Sequence, residues 1–90
     1  MPEQAQVDVR NNPAEHRFEA QVDGGTAIAS YTLLGNEIVF THTEVPEQSR
    51  GKGVGDELAR VALQWSREHG LDVVPECPFI AAYMRRHGEM

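Results

Sequence analysis

Gln48-Ser49-Arg50-Gly51-Lys52-Gly53-Val54-Gly55 divides the chain into two halves with different periodicities. Before it, the sequence reads as strands. Phe18, Ala20 and Val22 follow His16 in alternation with Arg17, Glu19 and Gln21, the period of a half-buried strand. Asp23-Gly24-Gly25 supplies residues that tolerate positive φ in a tight hairpin, and a strand is predicted from about Thr26 to Leu34. Gly35-Asn36 is a second hairpin signal, after which Glu37 to Val45 returns, rich in β-branched residues. Further upstream, Val7 and Val9 flank Asp8 as a first short strand, and Asn11-Asn12-Pro13 reads as a turn.

Beyond the glycine-rich stretch, Val54, Leu58, Val61, Ala62 and Trp65 recur at helical spacing, with polar residues between them. Asp56 and Arg60 stand as an i,i+4 acid-base pair, and Gly70 reads as the stop. Leu71 to Val74 is a short apolar run, predicted as a buried strand reached by a crossover. Pro78 then suits the first turn of a last helix, with Phe79/Tyr83 and Ile80/Met84 as i,i+4 pairs. The order β-β-β-β-α-β-α is that of an α+β domain: an antiparallel meander, then one parallel step.

At 90 residues the whole chain, 1–90, makes one domain, and a chain of this size buries roughly 60–65% of its unfolded surface. Eight Lys+Arg against fourteen Asp+Glu give a net charge of −6, which argues against a nucleic-acid partner. No apolar run approaches the ~18–20 residues of a membrane helix. Met1-Pro2-Glu3-Gln4 does not resemble a signal peptide, and Cys77 has no second cysteine to pair with. The expectation is therefore a cytoplasmic domain without membrane association. Four scattered histidines and one cysteine are too few for a zinc site, so no metal is expected.

The glycine-rich stretch carries the chemistry. Three glycines in five residues let the backbone turn sharply and approach a ligand without obstruction. Successive N–H groups there, together with the positive end of the following helix, make a cradle for an anion. Arg50 and Lys52 add charged donors, so the segment reads as a phosphate or pyrophosphate site. A plain glycine turn is the competing reading. Neither the Walker loop nor the dinucleotide fingerprint fits: Lys52 precedes the second glycine, and Asp56 stands where the fingerprint has its third. Asp56 and Glu57 in the first helical turn suit a bare helix dipole and oppose a bound anion.

Gln48-x-x-Gly51-x-Gly53 resembles the Gln/Arg-x-x-Gly-x-Gly/Ala signature of the Gcn5-related N-acetyltransferases, and most closely their compact single-domain branch. His42-Thr43-Glu44-Val45 before the loop, and Cys77-Pro78-Phe79 with Tyr83 beyond it, extend the likeness over about Thr26 to Gly88. The resemblance implies a minimal fold of that superfamily, with a parallel, splayed strand pair forming a slot for acetyl-coenzyme A. It implies that Val45, Gln48, Ser49, Arg50, Gly51, Lys52, Gly53, Val54 and Gly55 bind the cofactor. Longer members carry additional helices and strands around the acceptor, and an asparagine where Glu76-Cys77 stands here. Cofactor binding therefore transfers to this chain, and acceptor identity does not.

Four residues are candidates for catalysis. Cys77, placed before Pro78 and so held out of the α region, sits as a helix N-cap; it reads either as a nucleophile in acyl transfer or as a small buried apolar residue. Tyr83 resembles the tyrosine that protonates the departing thiolate, and equally fits an aromatic packed on Phe79. Glu44 and His42 lie two apart, on the same face as Phe40 and Ile38 if no bulge intervenes. They read as a general base with an alternate, or as a solvated strand end. The expected activity is acetyl-coenzyme A-dependent transfer of an acetyl group to an amine, on a small molecule or a lysine-type side chain. A module that binds coenzyme A without turnover is the alternative. Exposed sheet edges on so small a domain lead us to expect a monomer or a weak homodimer.

Overall fold

Alternation in the first half becomes an antiparallel meander in the computed structural model, which describes residues 7–89. Four strands follow in chain order: β1 (Arg10–Asn12), β2 (Arg17–Val22), β3 (Gly25–Leu34) and β4 (Glu37–Glu44). Helix α1 (Val54–Glu68) then crosses over to β5 (Asp72–Pro75), and α2 (Pro78–Arg86) follows. The sheet order is β1-β2-β3-β4-β5, antiparallel except for the parallel β4–β5 pair. This mixed sheet with two helices is the α+β arrangement expected from the sequence.

The first strand lies later than the alternation of Val7 and Val9 suggests. Asn11 and Asn12 belong to β1, pairing with Phe18 and Arg17, while Val7 and Val9 pack beside the core. Side-chain bonding accounts for this: the Tyr31 hydroxyl donates to Asn11 Oδ1 at 2.8 Å, and the Asn12 amide reaches the Glu19 carboxylate at 3.3 Å. The turn is a 3₁₀ segment at Pro13–Glu15, closed by His16 in the left-handed region at φ 54°.

Phe18, Ala27, Ala29, Tyr31, Ile38 and Phe40 form one side of a single apolar core, and both helices supply the other. Besides the expected Val54, Leu58 and Ala62, α1 buries Ala59, Leu63 and Ser66, because α2 as well as the sheet packs on it. Trp65 is half-buried, edge-on to Phe18 at 5.6 Å and stacked on Tyr31 at 6.4 Å. Ser66 satisfies its buried hydroxyl on the Ala62 carbonyl at 2.8 Å. Gly70 (φ 67°) ends α1 in a Schellman motif, with Leu71 N–H donating to Ser66 O at 2.9 Å and Gly70 N–H to Arg67 O at 3.1 Å.

Leu58 is fully buried beneath the sheet and leaves a cavity when truncated. Leu58→Ala is expected to lose about 2–5 kcal/mol of unfolding free energy, measured by chemical denaturation.

Candidate functional site

The glycine loop is built from behind. Ser49 is buried, and its hydroxyl donates to the Asp23 carbonyl in the β2–β3 turn at 2.7 Å. Gly24 of that turn has φ 93°, and a Cβ there would come within 2.6 Å of Gln48 Oε1. The hairpin thus seats Gln48 and Ser49, while Arg50 Nε donates to the Val45 carbonyl at 3.0 Å. At the front of the loop, Gly51 (φ 79°) and Gly53 (φ 82°) adopt backbone that side chains rarely take. A Cβ on either would meet nothing within 4 Å, so the space before them is open to a ligand.

Gly53 is also the N-cap of α1 and provides no side-chain cap. Glu57 N–H donates to Gly53 O at 3.0 Å as the first bond of the helix, so the N–H groups of Val54, Gly55 and Asp56 lack intrahelical acceptors. A serine or aspartate cap would use these donors; glycine leaves them for an incoming anion. A cavity of about 370 Å³ opens there. Val45, Ser49, Arg50, Gly51, Gly53, Val54 and Gly55 line it, joined by Asp56 and Phe79, which the sequence reading did not include. Gly55 is the floor under the Phe79 ring: a Cβ on it would lie 2.7 Å from Cζ. Gln48 and Lys52 do not line this cavity. Gln48 is turned to the hairpin, and Lys52 borders a separate hollow of about 210 Å³ with Val7 and Asp23.

Both first-turn carboxylates are met by arginines. Glu57, not Asp56, pairs with Arg60, at 2.6 and 2.9 Å, and the Arg60 bonds hold the Glu57 carboxyl below its ordinary range. Asp56 instead accepts from Arg86 of α2 at 3.1 Å. Helix α2 runs beside the first turn of α1, which brings this partner closer than the i,i+4 position.

The slot beside the cavity comes from the strand ends. β4 and β5 pair from Glu37 with Asp72 to Phe40 with Pro75 and then part. Cys77 N–H makes the last link, to Phe40 O at 2.8 Å. β4 carries an extra residue at this point: Ser30 faces His42 and Tyr31 faces Phe40, so Thr41 bulges. This reverses the phase expected for the strand end. Thr43, opposite Ala29, joins the face of Phe40 and Ile38, whereas His42 and Glu44 turn to the other face. His42 Nε2 and Glu44 Oε1 are 3.5 Å apart, with side chains 60% and 63% exposed. Thr43 Oγ1 lies 3.3 Å from Cys77 Sγ. Cys77 is the N-cap of α2, as its place before Pro78 suggests, and is buried with 4% exposure.

Tyr83 lies along the seam of α1 and α2. His87 stacks on its ring at 4.1 Å, and the Arg86 guanidinium carbon is 5.6 Å from its centroid. Burial raises the Tyr83 phenol above its ordinary value of 10.0, and the charges of Asp56, Glu89 and Glu57 push the same way. The structure brings Thr43 and Cys77 together, and separately His42 and Glu44; among the described residues Tyr83 makes no hydrogen bond to either pair, although it shares the buried core with Cys77. Among the described residues no three His, Cys, Asp or Glu side chains converge as a metal site, and no helix is long and apolar enough to cross a membrane.

A mixed sheet whose one parallel pair parts beside a glycine cradle at a helix N-terminus is the arrangement that the resemblance to the Gcn5-related N-acetyltransferases implies, and comparison with known proteins agrees on the family. Residues 17–90 match the family model described as GCN5-related N-acetyl-transferase, and the chain belongs to that family. It is similar to Protein NATD1 of Gallus gallus, 30% identical over 84 residues, covering 90% of this chain and 76% of the relative. Protein NATD1 of Bos taurus is 30% identical over 90 residues, covering 96% and 80%. That of Xenopus tropicalis is 27% identical, covering 97% and 83%.

Raising a phenol's pKa makes its contribution to folding complete below pH 10.0 and lost as pH climbs through the folded-state value, because the unfolded chain ionises first. Alkaline spectrophotometric titration should show a phenol ionising above 10.0 that is absent from Tyr83→Phe.

Proposed function

We propose that this chain is an acetyl-coenzyme A-dependent N-acyltransferase acting on an amine. The observation that carries the reading is the uncapped N-terminus of α1 behind Gly51 and Gly53, opening on a cavity of about 370 Å³ where the parallel strands part. Backbone N–H groups of that turn and Arg50 bind the pyrophosphate. Val45 and Phe79 provide apolar wall for the adjoining arm. Gln48 acts from behind by fixing the loop against Gly24, and Lys52 borders the neighbouring hollow, outside the cavity.

The coenzyme supplies a thioester, an acetyl group already activated for transfer. Glu44, with His42 beside it, accepts the proton of the attacking amine from the open sheet face, directly or through water. As the new C–N bond forms and the C–S bond breaks, the leaving thiolate takes a proton from Tyr83, whose phenol stays protonated at neutral pH. Cys77 at the slot offers a second route, in which its sulfur carries the acetyl group before the amine does. A cationic acceptor, a polyamine or a lysine side chain, suits the net charge of −6.

Coenzyme A binding without turnover is the second reading. It is favoured by one observation: Tyr83 makes no hydrogen bond to the Cys77 or the Glu44 group, and its ring is held between His87 and Arg86.

Calorimetric titration with acetyl-coenzyme A tests the site. Micromolar binding is expected, and Gly53→Trp should abolish it, since its side chain enters the open space and its φ of 82° resists any side chain. Absence of binding by the wild type overturns the reading. Intact-mass analysis after incubation separates the chemical routes. A gain of one acetyl group that disappears in Cys77→Ala supports the relay, while undiminished amine acetylation by Cys77→Ala supports direct transfer. Binding with no acetyl transfer to any amine leaves the second reading.

A further inference from the structure

Asp56 is a carboxylate on the wall of a cavity read as an anion site, and the structure shows what offsets it. Its oxygen accepts from Arg86 at 3.1 Å, across the α1–α2 seam and thirty residues along the chain. Glu57, the other acid of the same turn, is matched by Arg60 and does not line the cavity. Arg86 is also braced: its guanidinium carbon lies 5.6 Å from the centroid of the buried Tyr83 ring, which His87 stacks on at 4.1 Å. The pairing is therefore set by α2 packing on α1, although both side chains remain about half exposed.

We propose that Arg86 is an affinity-determining residue for the anionic coenzyme, acting through Asp56. The ion pair cancels the one carboxylate on the cavity wall, so the diphosphate meets helix donors and Arg50 without an opposing charge. The inference rests on the reading of this cavity as the coenzyme site. Arg86 is a positioning residue here and makes no contact with the ligand. An unpaired carboxylate within several ångströms of a diphosphate, in a half-solvated setting, weakens binding about three- to tenfold. The same charge leaves a neutral ligand unaffected. An exposed ion pair adds little to folding, so the variants should melt close to the wild type.

The experiment is a double-mutant cycle on the full chain, titrating coenzyme A and, separately, inorganic pyrophosphate and uncharged pantetheine at low and high salt. Arg86→Met is expected to weaken coenzyme A and pyrophosphate about three- to tenfold at low salt and less at high salt, with pantetheine unchanged. Arg86→Lys should retain most of the affinity. Asp56→Asn should bind more tightly than the wild type, and Asp56→Asn/Arg86→Met, which removes both charges, should return to the wild-type affinity within about twofold. Wild-type affinity in Arg86→Met overturns the inference. So does a double variant that stays as weak as Arg86→Met, which would make Arg86 a direct ligand or a packing residue. Wild-type binding of pyrophosphate without coenzyme A would sink the coenzyme reading, while the cycle would still decide the role of Arg86 with pyrophosphate. Binding of neither overturns both.

Discussion

Parallel pairing between β4 and β5 lasts four residues and stops at Phe40 and Pro75, and the candidate site depends on that stop. Two features end it together. Pro75 has no N–H to offer a ladder, and the chain after it folds into a tight turn in which Glu76 N–H donates to Val74 O at 3.2 Å. On the facing strand, the extra residue at Thr41 breaks the register. The two chains leave in different directions: one into the glycine loop and α1, the other into Cys77 and α2. Had pairing continued, backbone would fill the slot, and the cradle at Gly51–Gly55 would face a closed sheet.

The rest of the fold holds that opening in place. Both helices lie on one face and share the core with β2, β3 and β4, so the α1 N-terminus and the α2 N-cap are held rigidly with respect to each other. Phe79 rests on Gly55 where the two helices meet, and this accounts for glycine at a helical position where alanine has the better propensity. The β2–β3 turn holds the other side of the loop through Ser49 and Gln48. A loop with two left-handed glycines would otherwise be mobile. Buried bonding at its entrance and helix packing at its exit leave its donors fixed, and preorganised donors lose less freedom when they bind.

Much of this was legible in the sequence, for identifiable reasons. Alternation in β2 and the glycine-containing turns placed the hairpins, because burial on one face forces period two. Helical spacing and Gly70 placed α1, and Pro78 placed the start of α2. The bulge was not legible, since Thr41 is an ordinary strand residue and nothing local marks it. That one insertion sends Thr43 inward and His42 and Glu44 outward, so the composition of the segment was readable and its facing was not. Asn11 carries turn chemistry that lost to a bond with Tyr31 far along the chain, whereas Asn12 pairs in β1 and still caps the turn, its Oδ1 accepting from Glu15 N–H at 3.3 Å while its amide reaches Glu19. The partners of Asp56 and of Gln48 were hidden because both are tertiary, and for Asp56 local spacing offered Arg60 as a nearer alternative.

A chain of net charge −6 can still hold a polyanion, because net charge governs the distant field and the site is governed by what lies within a Debye length, about 8 Å at physiological salt. Within that radius the balance differs from the whole. The helix N-terminus contributes roughly half a positive charge, and Arg50 stands beside the cavity. Glu57 and Asp56, which would reverse the balance, are both matched by arginines. In the proposed reaction, surface acids farther away would be screened from a bound diphosphate, yet remain able to draw a cationic acceptor toward the sheet face where His42 and Glu44 lie. The two substrates of an acetyl transfer to an amine carry opposite charges. In the proposed reaction the anionic substrate would meet a small positive site at the helix terminus, within a chain whose net charge of −6 favours a cationic one.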